Sequence, residues 1–531
     1  MASSSLPDTT EWKADSDLLV SRKHAADSED SAQTPAAGVL GRELKTLARE
    51  SSHYMAGLLG NVAVGFVSFP IFTRLLSISE YGLMDLGQRL LLMLTIASKL
   101  GLQNASLRFY NRKEFSTDPA AGRNYYSTLF FGMLGSSCSI VVLCLLVVSL
   151  LPKTSTFGPL ATLIYLILGL VVLRAMGAIL WGFLRIEERT KTFNVITVAT
   201  RATTVAAVCA LLPWMGRSAH TYFTGVVSVE TILVLVLSAW LLQRGVLNPS
   251  HFKFDLFRAA IAYGTPLVLY EFAFAVLGSA DRFLVRHYVG ADALGFYSVA
   301  YGLANNVNEM LVSPLGLALI PIYMRIWASD GAEKTSAFVS TSFNIFIMAA
   351  AGVLAAIAAT GHSIVVLLAS AKYAGADRLI PVILAGLLVY GANVFVAAGL
   401  LIHKRTSQMS GLLVIAAALN IALNCLLLPR MGLMGGAIAT LLSYLTCILS
   451  LAWASNRILP LHTDVKTCMK YVGSAAFAWV IVSRFTFGSA IFDLLAKSAL
   501  VFSVYLIALY IVDSRTRDSF KQALHWIQTQ C

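Results

Sequence analysis

Three arginines stand inside long apolar stretches of this 531-residue sequence: Arg89, Arg174 and Arg201. A charge at the centre of a bilayer-spanning helix costs roughly 2.5–3.5 kcal/mol on insertion scales, so it is kept where it faces a cavity, a partner or a ligand. The chemistry open to such a guanidinium is recognition of an anion. Asp85 precedes Arg89 by one turn, so a structural ion pair and a ligand contact are equal readings there. No acid lies three or four residues from Arg174 or Arg201, which favours a ligand contact over pairing with Glu230 or snorkelling. Arg201 also continues a stripe with Asn194, Thr197 and Thr204, one helical face unsuited to lipid. Lys99, nearer the end of its stretch, reads as a snorkelling side chain.

A second group follows. Glu271 lies deep in an apolar block, and Tyr301, Asn305, Asn308 and Glu309 share one face of the next. Both faces read as lining a cavity, although an interhelical hydrogen-bond network gives the same pattern. With the adjacent pair Asp281 and Arg282, the candidate substrate-binding residues are Arg89, Arg174, Arg201, Glu271, Asp281, Arg282, Tyr301, Asn305 and Glu309. In Tyr263-Gly264-Thr265-Pro266 the proline removes a helical hydrogen bond and the glycine loosens the backbone, so Gly264 and Pro266 read as a kink or hinge.

Signatures of bond-making chemistry are missing from the sequence. There is no Gly-rich phosphate loop ending in Gly-Lys-Ser/Thr, no His-Glu metal helix and no nucleophile elbow, so ATP hydrolysis and acyl transfer are not signalled. The seven cysteines form no metal-spaced pair and no disulfide framework. No catalytic residue, metal or cofactor is expected. An enzyme that polymerises or ligates sugars needs a sizeable polar loop to carry its groups, and Glu80 and Asp292 stand isolated.

The elements that must hold these residues are membrane helices. The chain is 57% hydrophobic and 13% charged with mean hydropathy +0.72, against roughly 45–50% apolar for a soluble domain. Apolar blocks of about 20 residues match a hydrocarbon core of about 30 Å at 1.5 Å rise per residue. Six fall between Tyr54 and Leu242, six more between Phe257 and Ala454, and two others at Val472 to Ser483 and Ile491 to Val512. The net charge of +12 sits in short segments beside these blocks, not in a basic domain, which makes it a topology signal and excludes a nucleic-acid partner. Lys and Arg concentrate on the side of the N-terminus, predicting both termini in the cytoplasm. The polar stretch 1–50 reads as a disordered cytoplasmic tail, and the first apolar block starts too late for a cleaved signal peptide.

The two sets of six look like copies. Leu211-Leu212-Pro213-Trp214-Met215-Gly216 after Arg189-Thr190 is mirrored by Leu427-Leu428-Pro429-Arg430-Met431-Gly432 after Arg405-Thr406. Thr73-Arg74-Leu75 leading to Tyr81-Gly82-Leu83 recurs as Asp281-Arg282-Phe283 leading to Leu294-Gly295-Phe296. An even number of spans separates the copies, so they are parallel repeats with a site at their interface. The expected organisation is tail 1–50, N-terminal lobe 51–245, C-terminal lobe 246–457, two further helices in 458–512 and a cytoplasmic tail 513–531.

Gly264-Thr265-Pro266-Leu267, Ser279-Ala280-Asp281-Arg282-Phe283-Leu284 and Gly290-Ala291-Asp292-Ala293-Leu294-Gly295-Phe296-Tyr297-Ser298 together resemble the mid-chain signature of Wzx-like polysaccharide biosynthesis flippases. These belong to the multidrug/oligosaccharidyl-lipid/polysaccharide exporter superfamily. Phe72-Thr73-Arg74-Leu75-Leu76 with Glu80-Tyr81-Gly82-Leu83, and Leu428-Pro429-Arg430-Met431-Gly432-Leu433-Met434-Gly435-Gly436-Ala437, resemble two more of the family's motifs. The resemblance covers the chain from about residue 50 onward. It implies an all-α integral membrane fold of about 14 transmembrane helices, two six-helix lobes plus two C-terminal helices as in MATE and lipid II flippases. It also implies alternating access that moves an oligosaccharide on undecaprenyl pyrophosphate across the bacterial inner membrane. The polar tail is longer than the family's, and Asp85-Arg89 belongs to no family motif. Two other cargoes stay open, lipid II and cationic drugs, the latter using Asp85, Glu230 and Glu271 with a coupling cation. Whether a polysaccharide polymerase complex is a partner is left open.

Overall fold

The computed structural model describes residues 60–61, 63–111, 115, 117–150, 158–187, 190–513 and 517. The tail assigned to 1–50, and all of 513–531 except Asp513 and Arg517, lie outside these. The chain divides between Leu59 and Gly60, and every helix named here belongs to the second unit.

Among the described residues the regular structure is helical. The elements are α1 (Ala63–Leu75), α2 (Ile78–Lys99), α3 (Leu102–Phe109), α4 (Pro119–Leu150), α5 (Gly158–Ile186), α6 (Thr190–Met215), α7 (Ala219–Gln243), α8 (Phe254–Leu277) and α9 (Ala280–Tyr288). There follow α10 (Ala291–Ile364), α11 (Ile380–Gly391), α12 (Asn393–Val396), α13 (Ala398–Ile402), α14 (Thr406–Met431), α15 (Leu433–Asn456), α16 (Val465–Val482) and α17 (Ala490–Val512). Local chemistry sets the starts. Ser77 accepts the Glu80 amide at 3.2 Å and Glu80 supplies the acid of the first turn of α2, while Ser218 and Ser489 cap α7 and α17.

Ten of these helices are long and apolar enough to cross a membrane, eleven with the bent pair α2–α3. The protein is therefore a multi-pass membrane protein. The fourteen blocks of the sequence map onto fewer elements because α10 holds two of them, joined across non-helical Gly331 (φ 82°), and because α1 and α11–α12 are short apolar helices. The tenth block, expected as one helix, is broken into α11, α12 and α13. At Gly264–Pro266, where a kink or hinge was expected, α8 continues as one helix with Pro266 inside it, and a break lies at Gly278 between α8 and α9.

α2 is the strut that ties early helices to late ones, packing on α4, α5 and α7 and also on α8 and α10. α10 carries α11 on one side and α16 with α17 on another. The bend between α2 and α3 measures 45° and rests on Leu100 and Gly101, both left-handed (φ 46° and 74°). Gly101 lies flat on α8: a Cβ there would overlap the Gly264 backbone, and a Cβ on Gly264 would sit 2.7 Å from the Gly101 backbone. Gly101→Ala is expected to cost about 1–2 kcal/mol for the backbone and roughly 1–3 kcal/mol for overpacking, read as a lowered unfolding temperature in detergent. An unchanged unfolding temperature would show that the two glycines do not form a rigid contact.

Candidate functional site

The helix ends at the α1–α2 turn are sealed. Arg74 Nη2 donates to the Leu367 carbonyl at 2.5 Å, Lys372 Nζ to the Leu76 carbonyl at 2.6 Å, and the Ala219 amide to Glu80 Oε2 at 2.6 Å. A Cβ on Gly82 would stand 2.7 Å from the Gly295 amide nitrogen, so α2 and α10 meet backbone to backbone here. Beneath this seal, walls from α1, α2, α5, α6, α7 and α10 enclose a cavity of about 680 Å³ that reaches from Phe72 and Tyr222 to Lys99 and Thr197 near the opposite helix ends.

Arg89, Arg174, Arg201 and Asn305 line this cavity. Arg174 Nε donates to Glu230 Oε1 at 3.1 Å, the pairing weighed as the alternative to a ligand contact. Arg89 donates to Asp85 Oδ1 through Nε at 3.2 Å and Nη2 at 3.1 Å. Arg201 differs from both: Nη1 donates to the Asn61 carbonyl at 3.0 Å, and among the described residues no carboxylate lies within ion-pair distance of it. Gly65 makes room for it, since a Cβ there would sit 2.9 Å from Nη2. Asn305 donates to Glu309 Oε1 at 2.9 Å.

Asp281, Arg282 and Tyr301 are elsewhere. Arg282 has no exposed surface; its Nε bonds Asp85 Oδ2 at 2.8 Å, its Nη1 bonds Asp281 Oδ1 at 3.0 Å and the Gly278 carbonyl at 2.8 Å, and its guanidinium lies 3.9 Å from the Tyr301 ring centroid. Tyr297 donates to Asp281 Oδ2 at 2.7 Å, and the Tyr301 and Tyr444 hydroxyls are 3.1 Å apart. These three, expected to bind substrate, lie off the cavity wall. They form a sealed polar cluster whose charges answer one another, touching the cavity only through Asp85. Glu271 is also off the wall, accepting from Asn104 Nδ2 at 3.0 Å and Gln103 Nε2 at 3.4 Å, with Lys99 Nζ at 3.9 Å; Lys99 therefore bridges α2 to α8 and does not snorkel. Glu309 is exposed and reaches the wall only through Asn305.

Several wall residues were not singled out in the sequence. Tyr81, Gln88 and Thr95 line the cavity from α2 beside Asp85 and Lys99, and the three-, four- and seven-residue steps through all five mark one helical face that the spacing alone could have flagged. Gln88 donates to the Tyr222 hydroxyl of α7. Trp181 follows Arg174 by seven residues and shares its face of α5, whereas Asn306 falls outside the stripe read on its helix. A separate groove of about 760 Å³, walled by alanines of α10 and α16, ends at the His362–Asp377 pair (3.2 Å).

A family model described as polysaccharide biosynthesis protein matches residues 47–327. Among curated sequences, an uncharacterized membrane protein of Methanocaldococcus jannaschii is 22% identical over 214 residues, 39% of this chain and 41% of that one. A protein of the Lsg locus of Haemophilus influenzae is 22% identical over 294 residues, 52% of this chain and 65% of that one. The matched part thus spans less than two thirds of either relative. Among solved structures, the lipid II flippase MurJ in an inward closed conformation aligns with a TM-score of 0.68 at 13% identity, over 89% of this chain and all (100%) of that one. An inward-facing multidrug resistance MATE transporter aligns with a TM-score of 0.59 at 14% identity, over 76% and 94%. At these identities the likeness establishes the fold.

Proposed function

The chain belongs to the polysaccharide biosynthesis protein family, and from that premise we propose that it is a flippase for a polyprenyl-diphosphate-linked oligosaccharide in a bacterial inner membrane, with both termini cytoplasmic and no enzymatic step. The observation that carries this reading is Arg201, a guanidinium on a polar and aromatic cavity wall that no carboxylate among the described residues neutralises. Its fork matches phosphate geometry, and a wall of one net sign attracts an anionic headgroup. The diphosphate would be held by Arg201 with Arg174 and Arg89 behind it, while the prenyl chain stays in lipid. The helices 51–245 and 246–457 would act as two lobes rocking about the cavity, with 458–512 attached to the second. The seal at the α1–α2 turn and the long reach of the cavity toward Lys99 favour a state loaded from the cytoplasm. A cationic drug is the weaker cargo, because Asp85 and Glu230 on the wall are already held by arginines.

Proteoliposomes of the full chain test this with a prenyl-diphosphate oligosaccharide labelled on its sugar. Protein-dependent exposure of the label to an impermeant oxidant on the far side is the expected result. Exposure no faster than in protein-free liposomes would reject the flippase reading.

A further inference from the structure

The charges around the cavity can be paired off. Asp85 answers Arg89 and Arg282, Asp281 answers Arg282 again, Glu230 answers Arg174, and Glu271 answers Lys99. Leaving aside the exposed Glu309, bonded to the Asn305 amide, five cations thus meet four carboxylates among the described residues, and the surplus is the single positive charge of Arg201. A diphosphate diester carries one negative charge on each phosphate, so the headgroup alone exhausts that surplus and must borrow from Arg174 or Arg89. A further anionic group would stand beside Glu230 and Asp85 with no cation among the described residues left to meet it, and like charges brought together are rejected. Beyond its ion-paired groups and Arg201 the wall offers uncharged ones: the amides of Gln88, Asn305 and Asn306, the hydroxyls of Thr197 and Thr200, and the flat ring of Trp181. Amides and hydroxyls both donate and accept, as sugar hydroxyls do, and an aromatic face suits the apolar face of a sugar ring.

We infer that the cargo's glycan is electroneutral, built of plain or N-acetylated sugars without uronate, sialate, sulfate or phosphate substituents. This rests on the flippase reading and adds to it the class of glycan admitted. Three probes test it on the full chain in nanodiscs: a prenyl diphosphate without sugar, the same lipid with a neutral oligosaccharide, and that oligosaccharide with one sugar exchanged for its uronic acid. The neutral glycolipid is expected to bind best, the acidic one about tenfold or more weakly. Glu230→Gln, which removes one wall anion and frees Arg174, is expected to narrow the gap. Equal or tighter binding of the acidic glycolipid by the unmodified protein overturns the inference and leaves the flippase reading standing. Binding of none of the three overturns the flippase reading, and this inference falls with it.

Discussion

Arg201→Glu is expected to abolish export of the glycolipid while the protein stays in the membrane at its normal level. Reversal puts a carboxylate where the diphosphate must sit, and like charges brought together cost several kcal/mol, about 100-fold or more in binding. The fold has little at stake, because Arg201 is exposed on α6 and its protein hydrogen bond goes to one backbone carbonyl, that of Asn61. Arg201→Lys keeps the charge and loses the fork, so partial export is expected from it. The measurements are surface polysaccharide in cells and protein level in isolated membranes. Normal export by Arg201→Glu would remove this guanidinium from the site and, with it, the main support for an anionic cargo.

Arg282→Met is expected to act in the opposite way, through the fold. Removing one partner of a buried ion pair leaves the other charge uncompensated, at a cost of about 3–5 kcal/mol. Here Asp281 would be stranded among Tyr297 and Thr440, whereas Asp85 would keep Arg89. The variant should unfold at a lower temperature in detergent and accumulate poorly in membranes. Adding Asp281→Asn, which removes the stranded charge, should recover part of the loss, because the two substitutions share one network. A variant that is as stable as the unmodified protein and fails only in export would mean that Arg282 does its work on the substrate after all.

The contrast between these two arginines marks what the sequence discloses. Hydropathy, block length and charge bias were enough for a membrane-spanning helical protein, and Arg89, Arg174 and Arg201 were legible as wall residues because each interrupts an apolar run on a helix of known period. Their states were not. Arg174 meets Glu230 across 56 residues and Arg282 meets Asp85 across 197, and no local spacing announces a partner on another helix. Asp281, Arg282 and Tyr301 carry the same polar signal as a binding site, and only packing reveals that they answer one another. Breaks were equally hard to place. The glycine and proline at 264 and 266 sit in an unbroken helix, while the sharp bend at Leu100–Gly101 occurs where a non-glycine residue takes a left-handed conformation.

The sealed cluster has a consequence for how the chain is made. Asp85 enters the bilayer long before Arg282 is synthesised, and at about 5–20 residues per second the 197 intervening residues take roughly 10–40 s. Throughout that delay Arg89, one turn along the same nascent helix, is the counter-ion within reach, so the pair that reads as part of a transport site also serves as an escort through insertion. When α9 arrives, Asp85 keeps that companion on one oxygen and gains Arg282 on the other. The half-made molecule thereby balances the carboxylate with one arginine and the finished one with two.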